Sequence, residues 1–391
     1  MRILRAIRSV NPEIGGPVES VTRSTAALLA REHVVEVVSL DGPNDKWVNE
    51  FPLTMHALGP GRGTYGYSER FTPWLREHSS DYDAVIVHGV WQYQSFGTWR
   101  ALRGGSPPYY VFPHGMLDPW FKRTYPLKHL KKLFYWPWGD YRVLRDAKAV
   151  LFTSEEERRL ARESFALYRC HERVVNYGTA SPKVDLTDAR EAFFARFPEL
   201  RGKQLCLFLS RVQEKKGCDI LIESFSRLRR LRKDASHVHL VVAGPPATAD
   251  YLVNLQQLAA RSGVSVTFTG MLAGELKWGA FAAAEVFVLP SHQENFGISV
   301  VEAMAAGVPV LISNCVNIWR EIEADGAGYV DSDDVDGTTR LLERWFATSE
   351  AQRTKMRANA RECFSQRFEI ERATDSLLAI LQNPHGSEAS R

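Results

Sequence analysis

The chain has 391 residues, of which 45% are hydrophobic and 24% charged, and a formal net charge of +3. That composition is ordinary for a globular protein and excludes a disordered or fibrous chain, while the small net charge gives no basis for a nucleic-acid ligand. No apolar run reaches the roughly 18–20 residues that a membrane-crossing helix requires, and the length exceeds one hydrophobic core, so two domains are expected.

Taken in chain order, Met1–Ile7 reads as a first strand, since its apolar run is too short for the core of a signal peptide. Further strands are expected at Val34–Ser39, Ala84–His88, Tyr109–Phe112, Ala149–Phe152 and Arg173–Val175. Val18, Val21, Thr25, Leu28 and Leu29 fall at helical spacing between the first two. Strand patterning lapses over residues 179–203, which marks a hinge. A second series follows at Leu205–Leu209, His239–Ala243, Ser265–Thr269, Val286–Leu289, Val308–Ile312 and Gly328–Val330, with helices at Cys218–Leu231, Tyr251–Arg261 and Ser299–Ala306. Alternating strands and helices signal parallel sheets covered by helices. Phe368–Leu381 reads as a last amphipathic helix, and a polar tail follows Gln382. The expected domains are 1–180, joined by 366–391, and 181–365.

Charge is uneven along the chain. Residues 1–178 hold 24 Lys/Arg and 19 Asp/Glu, a net of +5, and the remainder holds 25 and 27, a net of −2. Cys170, Cys206, Cys218, Cys315 and Cys363 are scattered without a Cys-x-x-Cys pair, which points to reduced thiols in the cytoplasm rather than structural zinc.

The most informative stretch runs from Pro290 to Pro309. A buried strand ends in the polar loop Ser291-His292-Gln293-Glu294-Asn295-Phe296-Gly297, and a small-residue helix follows at once. Ligands of open α/β sheets bind beyond the carboxyl ends of strands, and a helix start there favours phosphate. Glu294 and Glu302 then flank that phosphate, as acceptors suited to sugar hydroxyls. A glutamate within Val-Val-Glu-Ala-Met-Ala-Ala-Gly is a costly choice beside a core. Earlier, Arg211 and Lys216 follow another strand in Arg211-Val212-Gln213-Glu214-Lys215-Lys216-Gly217, placing two cations where a departing diphosphate gathers charge.

These elements resemble the Glu-x7-Glu and Arg-x4-Lys-Gly motifs of retaining GT-B glycosyltransferases, specifically glycosyltransferase family 4. The resemblance covers nearly the whole chain. It implies two facing Rossmann-like domains with a central cleft and a C-terminal crossover helix, the N-terminal domain for the acceptor and the C-terminal one for a nucleotide-sugar donor. It implies catalytic roles for Glu294, Arg211, Lys216 and His114, the last in Phe112-Pro113-His114-Gly115, beside the transferred sugar. Gly15 and Gly16, in the loop after the first strand, resemble the element that closes over the donor diphosphate. Gly244, Met271, Leu272, Asn295, Phe296, Gly297, Ile298, Ser299 and Glu302 are implied to line the donor, with Glu302 on its ribose. The nucleotide sugar is a co-substrate, and neither a further cofactor nor a metal is expected. Asp81-Tyr82-Asp83 and Asp331-Ser332-Asp333 read as loop acids rather than metal ligands.

Between Lys122 and Lys148 lie eight basic and two acidic residues. Leu127, Leu130 and Phe134 share a helical face there, beside Lys128, Lys131 and Lys132. Segment 121–144 is therefore expected to touch the inner membrane surface and to help present a lipid-linked saccharide acceptor. Two other readings stay open on the same architecture: a nucleotide-sugar epimerase and a non-catalytic nucleotide-sugar sensor.

Overall fold

A computed structural model describes residues 1–14, 16–231 and 238–383. Gly15 and the polar tail 384–391 lie outside the described residues. The chain divides into two units, Met1–Tyr177 with Ile370–Arg391, and Gly178–Glu369.

Unit 1 is built on β1 (Arg2–Ile7), β2 (Val34–Ser39), β3 (Met55–Ala57), β4 (Ala84–His88), β5 (Tyr109–Phe112), β6 (Ala149–Phe152) and β7 (Glu172–Val174). Every pairing is parallel, in the order β3-β2-β1-β4-β5-β6-β7. The central strands are unbroken apolar runs because helices cover both faces of the sheet, and β4 is buried at all five positions. β3 escapes sequence reading because it is a three-residue edge strand with every residue only half-buried.

The last helix, Ile370–Gln382, joins this unit. Leu377 and Leu381, one turn apart, pack with Ile3, Ile86 and Tyr110. Arg31 reaches both Glu371 and Asp375 at 2.7 Å, which fixes the docking of the helix beside Gly16–Leu29.

Unit 2 is built on β8 (Gln204–Leu209), β9 (Val238–Ala243), β10 (Val266–Gly270), β11 (Ala284–Leu289), β12 (Val310–Ser313) and β13 (Gly328–Asp331). The order β10-β9-β8-β11-β12-β13 is that of a doubly wound dinucleotide fold, entirely parallel. β12 begins two residues later than its apolar run, past Pro309, which has no N–H to donate and instead accepts at its carbonyl from Phe287. The stretch where strand patterning lapses contains a helix, Leu186–Arg196, capped by the Asp185 carboxylate. It packs so closely on helix Gly274–Ala283 that a Cβ on Gly279 would meet the Ala189 carbonyl at 2.0 Å.

The basic aromatic segment of unit 1 forms helices Trp120–Thr124, Pro126–Tyr135 and Asp140–Asp146. Trp136 enters the core, whereas Leu127, Leu130, Phe134 and Trp138 are exposed. Among the described residues no helix is long and apolar enough to cross a membrane. All five cysteines are free thiols.

Candidate active site

In unit 2 the strand order reverses between β8 and β11, and the loops leaving these neighbours carry the two motifs. The carboxyl edge at such a reversal is where an open sheet leaves a crevice. Two glycines let the loops approach backbone to backbone. Gly217 has φ +68°, and a Cβ there would lie 2.2 Å from the Pro290 carbonyl. Gly244 has φ +138°, and a Cβ would lie 1.9 Å from the Ser210 carbonyl. The β8 and β11 loops are then tied by His292 N–H donating to the Lys215 carbonyl at 2.9 Å and by Ser291 Oγ donating to the same oxygen at 3.1 Å. Gly244 N–H donates to the Gly270 carbonyl at 2.8 Å, which brings the loop of Met271 and Leu272 to the same edge.

The consequence is an ion pair between Lys216 Nζ and Glu294 Oε2, residues 78 positions apart. Lys216 is buried, and Glu294 is held at its backbone by the Cys315 carbonyl and the Asn317 N–H. Burial alone would raise the Glu294 pKa. The Lys216 ammonium, the nearby Lys215 and the Gly297 N–H outweigh it, so the carboxyl lies below its usual range. Arg211 opens the same loop, at the carboxyl end of β8, and is exposed. Asn295, Phe296 and Gly297 lead directly into helix Ile298–Ala305, and Phe296 is buried edge-on against Phe368.

Glu302 lies on that helix and is only 3% exposed. Its carboxylate pairs with Lys277 Nζ at 2.7 Å, a partner that sequence reading missed. The available signal was the one lysine in helix Gly274–Ala283, whose other charged residue is Glu275. Sequence reading also missed His292, whose Nδ1 lies 2.7 Å from Asp333 Oδ2, an interaction that raises the imidazole pKa. The other acid of that Asp-x-Asp segment, Asp331, is held by Arg340, and Asp83 of the earlier one accepts from Arg2 N–H at 2.7 Å.

Unit 1 carries its own polar cluster at a carboxyl edge. His114 has φ +51°, a strained conformation for a non-glycine residue, two residues after the end of β5. The turn is pinned by buried Glu157, which accepts from Gly115 N–H at 2.6 Å and from Thr153 N–H and Oγ at 2.7 Å each. His114 Nε2 lies 2.9 Å from Nδ1 of His88, the last residue of β4, and both rings stack with Phe112. Arg5, buried on β1, donates to Ser24 at 2.8 Å. Gly16 begins helix Gly16–Leu29, and a Cβ there would meet nothing, so packing within the chain does not demand glycine at that position.

Burial, then the Arg5 charge, lower the His114 pKa to about 4; burial, His114 and Arg5 hold His88 well below its usual value. Both rings are neutral at pH 7. Unfolded histidine takes a proton near pH 6.5 and folded His114 only near 4, so the unfolded state holds more protons in that window and stability falls as pH falls through it. Denaturant titrations from pH 7 to 4.5 are expected to show this loss. His114→Phe should flatten the slope by about one proton, or about 1.4 kcal/mol per pH unit; an unchanged slope would contradict a buried neutral ring.

Two family models match in succession: a glycosyl transferase 4-like domain over residues 15–178 and glycosyl transferases group 1 over residues 189–363. The chain belongs to the GT-B glycosyltransferases. Within that family it is 31% identical over 254 residues to a D-inositol 3-phosphate glycosyltransferase of Streptomyces avermitilis, covering 62% of this chain and 54% of that one. It is 30% identical over 186 residues to mannosylfructose-phosphate synthase of Agrobacterium fabrum, covering 46% and 40%. The chain thus spans about half the length of the curated relatives it matches. Among solved GT-B structures, sucrose-phosphate synthase from Thermosynechococcus elongatus superposes with a TM-score of 0.77 at 19% identity, over 98% of this chain and 99% of that one. HepE of Anabaena, solved with UDP and glucose, superposes at 0.74 with 17% identity, over 98% and 100%.

Proposed function

We propose that this GT-B family member transfers a sugar, with retention of configuration, from a nucleoside-diphosphate donor to an acceptor hydroxyl. The observation that carries this reading is the Lys216–Glu294 pair, with Arg211 on the same loop, at the β8–β11 reversal of unit 2. Two cations there neutralise charge building on the leaving diphosphate. Glu294 and the Phe296–Gly297 backbone hold the sugar, and Glu302 holds the ribose. Without donor, Lys216 neutralises Glu294; with donor, its ammonium is shared between that carboxylate and a phosphate oxygen. The acceptor hydroxyl forms the new bond to the anomeric carbon as the carbon–phosphate-oxygen bond breaks, and the departing phosphate takes the hydroxyl proton. In unit 1, His114 Nε2 is already engaged by His88, so a further partner of that ring meets Nδ1 or displaces His88.

The acceptor is assigned to unit 1. A lipid-linked saccharide of a polysaccharide pathway fits the exposed Leu127, Leu130 and Phe134 beside their lysines, which would rest on an anionic membrane surface. The named relatives place phosphorylated small molecules in related reactions. Incubation with UDP-, GDP- and ADP-sugars is expected to show binding of one of them, with nucleoside diphosphate released faster once acceptor is present. Release indifferent to acceptor, or conversion of the sugar without any release, would contradict transfer and favour a sensor or an epimerase.

A further inference from the structure

Beside the segment with the exposed apolar face, unit 1 contains a partly enclosed cavity of about 60 Å³. One water needs roughly 10–15 Å³ on this measure, so the cavity has room for about four to six heavy atoms. That is the size of a phosphoryl group and smaller than a sugar ring. Its lining includes Lys122, Lys128, His129 and Lys132, with Asp118 as the acid. Asp118 accepts from Trp120 N–H at 2.8 Å. Among the described residues none of these three lysines forms an ion pair. Lys132 instead rests 4.5 Å from the centre of the Trp91 ring and Lys128 4.7 Å from that of Tyr125.

Three ammonium groups around one small cavity, two of them held on rings, form an unusual arrangement. Aromatic faces orient a cation without neutralising it. The Lys132 pKa falls to about 8 through burial and then through Lys128, although Asp140 pulls the other way; the His129 pKa falls through burial and then through Lys122 and Lys132. The groups therefore sit in one another's positive field, and an anion in the cavity would relieve it.

We infer that this cavity is a phosphoryl subsite of the acceptor, in which Lys122, Lys128 and Lys132 hold the phosphoryl group of a phosphate monoester. The inference rests on the assignment of the acceptor to unit 1. The same helix, Pro126–Tyr135, carries Leu127, Leu130 and Phe134 exposed, so a phosphorylated lipid meets both parts of the surface, while a soluble sugar phosphate meets only the cavity.

The test uses the full chain and two probes: phosphatidylcholine vesicles containing phosphatidic acid, and soluble glucose 6-phosphate. Lys128→Ala/Lys132→Met is compared with Arg123→Ala/Lys131→Ala, which removes equal charge outside the cavity lining. The cavity pair is expected to weaken binding of at least one probe by about tenfold or more beyond the control pair, whose Lys131 gives up only its surface charge to the vesicles, and the control pair should hold glucose 6-phosphate within about threefold of wild type. Loss with the vesicles identifies a lipid phosphate, and loss with glucose 6-phosphate alone identifies a soluble one. Equal losses from both pairs, or none from either, overturn the subsite. UDP affinity is measured in each variant. It should not change, which shows that the variants are folded and separates failure of this subsite from failure of the donor assignment.

Discussion

Glu294→Gln is expected to lower turnover by about 10²–10³-fold while leaving nucleoside diphosphate affinity unchanged or higher. The substitution keeps the shape of the side chain and removes its charge, so the sugar loses a charged acceptor that matters most as its ring distorts towards the transition state. It also leaves the Lys216 ammonium, buried and paired with Glu294 in the native protein, without its carboxylate. An uncompensated buried charge lowers stability, and a bound diphosphate resupplies the missing anion. The variant should therefore melt lower than wild type and gain more than wild type when UDP is added, or the diphosphate of whichever donor binds. Turnover near normal would contradict the role given to Glu294.

The second large effect concerns Glu302 and Lys277. Glu302→Ala removes the partner of a lysine held at 2.7 Å on the neighbouring helix. The expected cost is about 3 kcal/mol, the lower end for breaking a buried pair because the Lys277 side chain keeps some solvent contact. Nucleotide affinity should fall about 10–100-fold as the ribose loses its acceptor. The double variant Lys277→Met/Glu302→Leu separates the two effects. Replacing a buried pair with apolar groups of similar volume restores most of the stability, but the ribose contact stays lost. If nucleotide affinity returns with stability, Glu302 is a structural residue and its assignment to the ribose is wrong.

The strands were legible from sequence where both faces are buried. The run Ala84–His88 coincides with β4, and Tyr109–Phe112 with β5, since a two-sided core demands unbroken apolar residues. The edge strand β3 left no such trace. Glu294 and Lys216 were legible because each lies in the loop that leaves a strand of recognisable kind. Their partners in the fold were not. Lys277 contacts Glu302 across 25 positions, and His88 meets His114 across 26. Glu157 is the last of three consecutive acids, and nothing local marks it as the one that accepts from Gly115 of the strained turn. A local window carries periodicity and loop chemistry, but which side chain closes a buried hydrogen bond depends on strand order. The cavity beneath Lys128 and Lys132 had the same fate: the basic and aromatic residues were visible in the sequence, but their closure around one small space was not.

The claim on which the rest depends is that the loops after β8 and β11 together hold a diphosphate. Calorimetric titration of the nucleoside diphosphate into wild type, Arg211→Ala and Lys216→Ala tests it most directly. Each single variant should bind about tenfold more weakly or worse, the loss of roughly one charge-assisted hydrogen bond, and should keep the wild-type circular dichroism spectrum. Wild-type affinity in both variants would contradict the account.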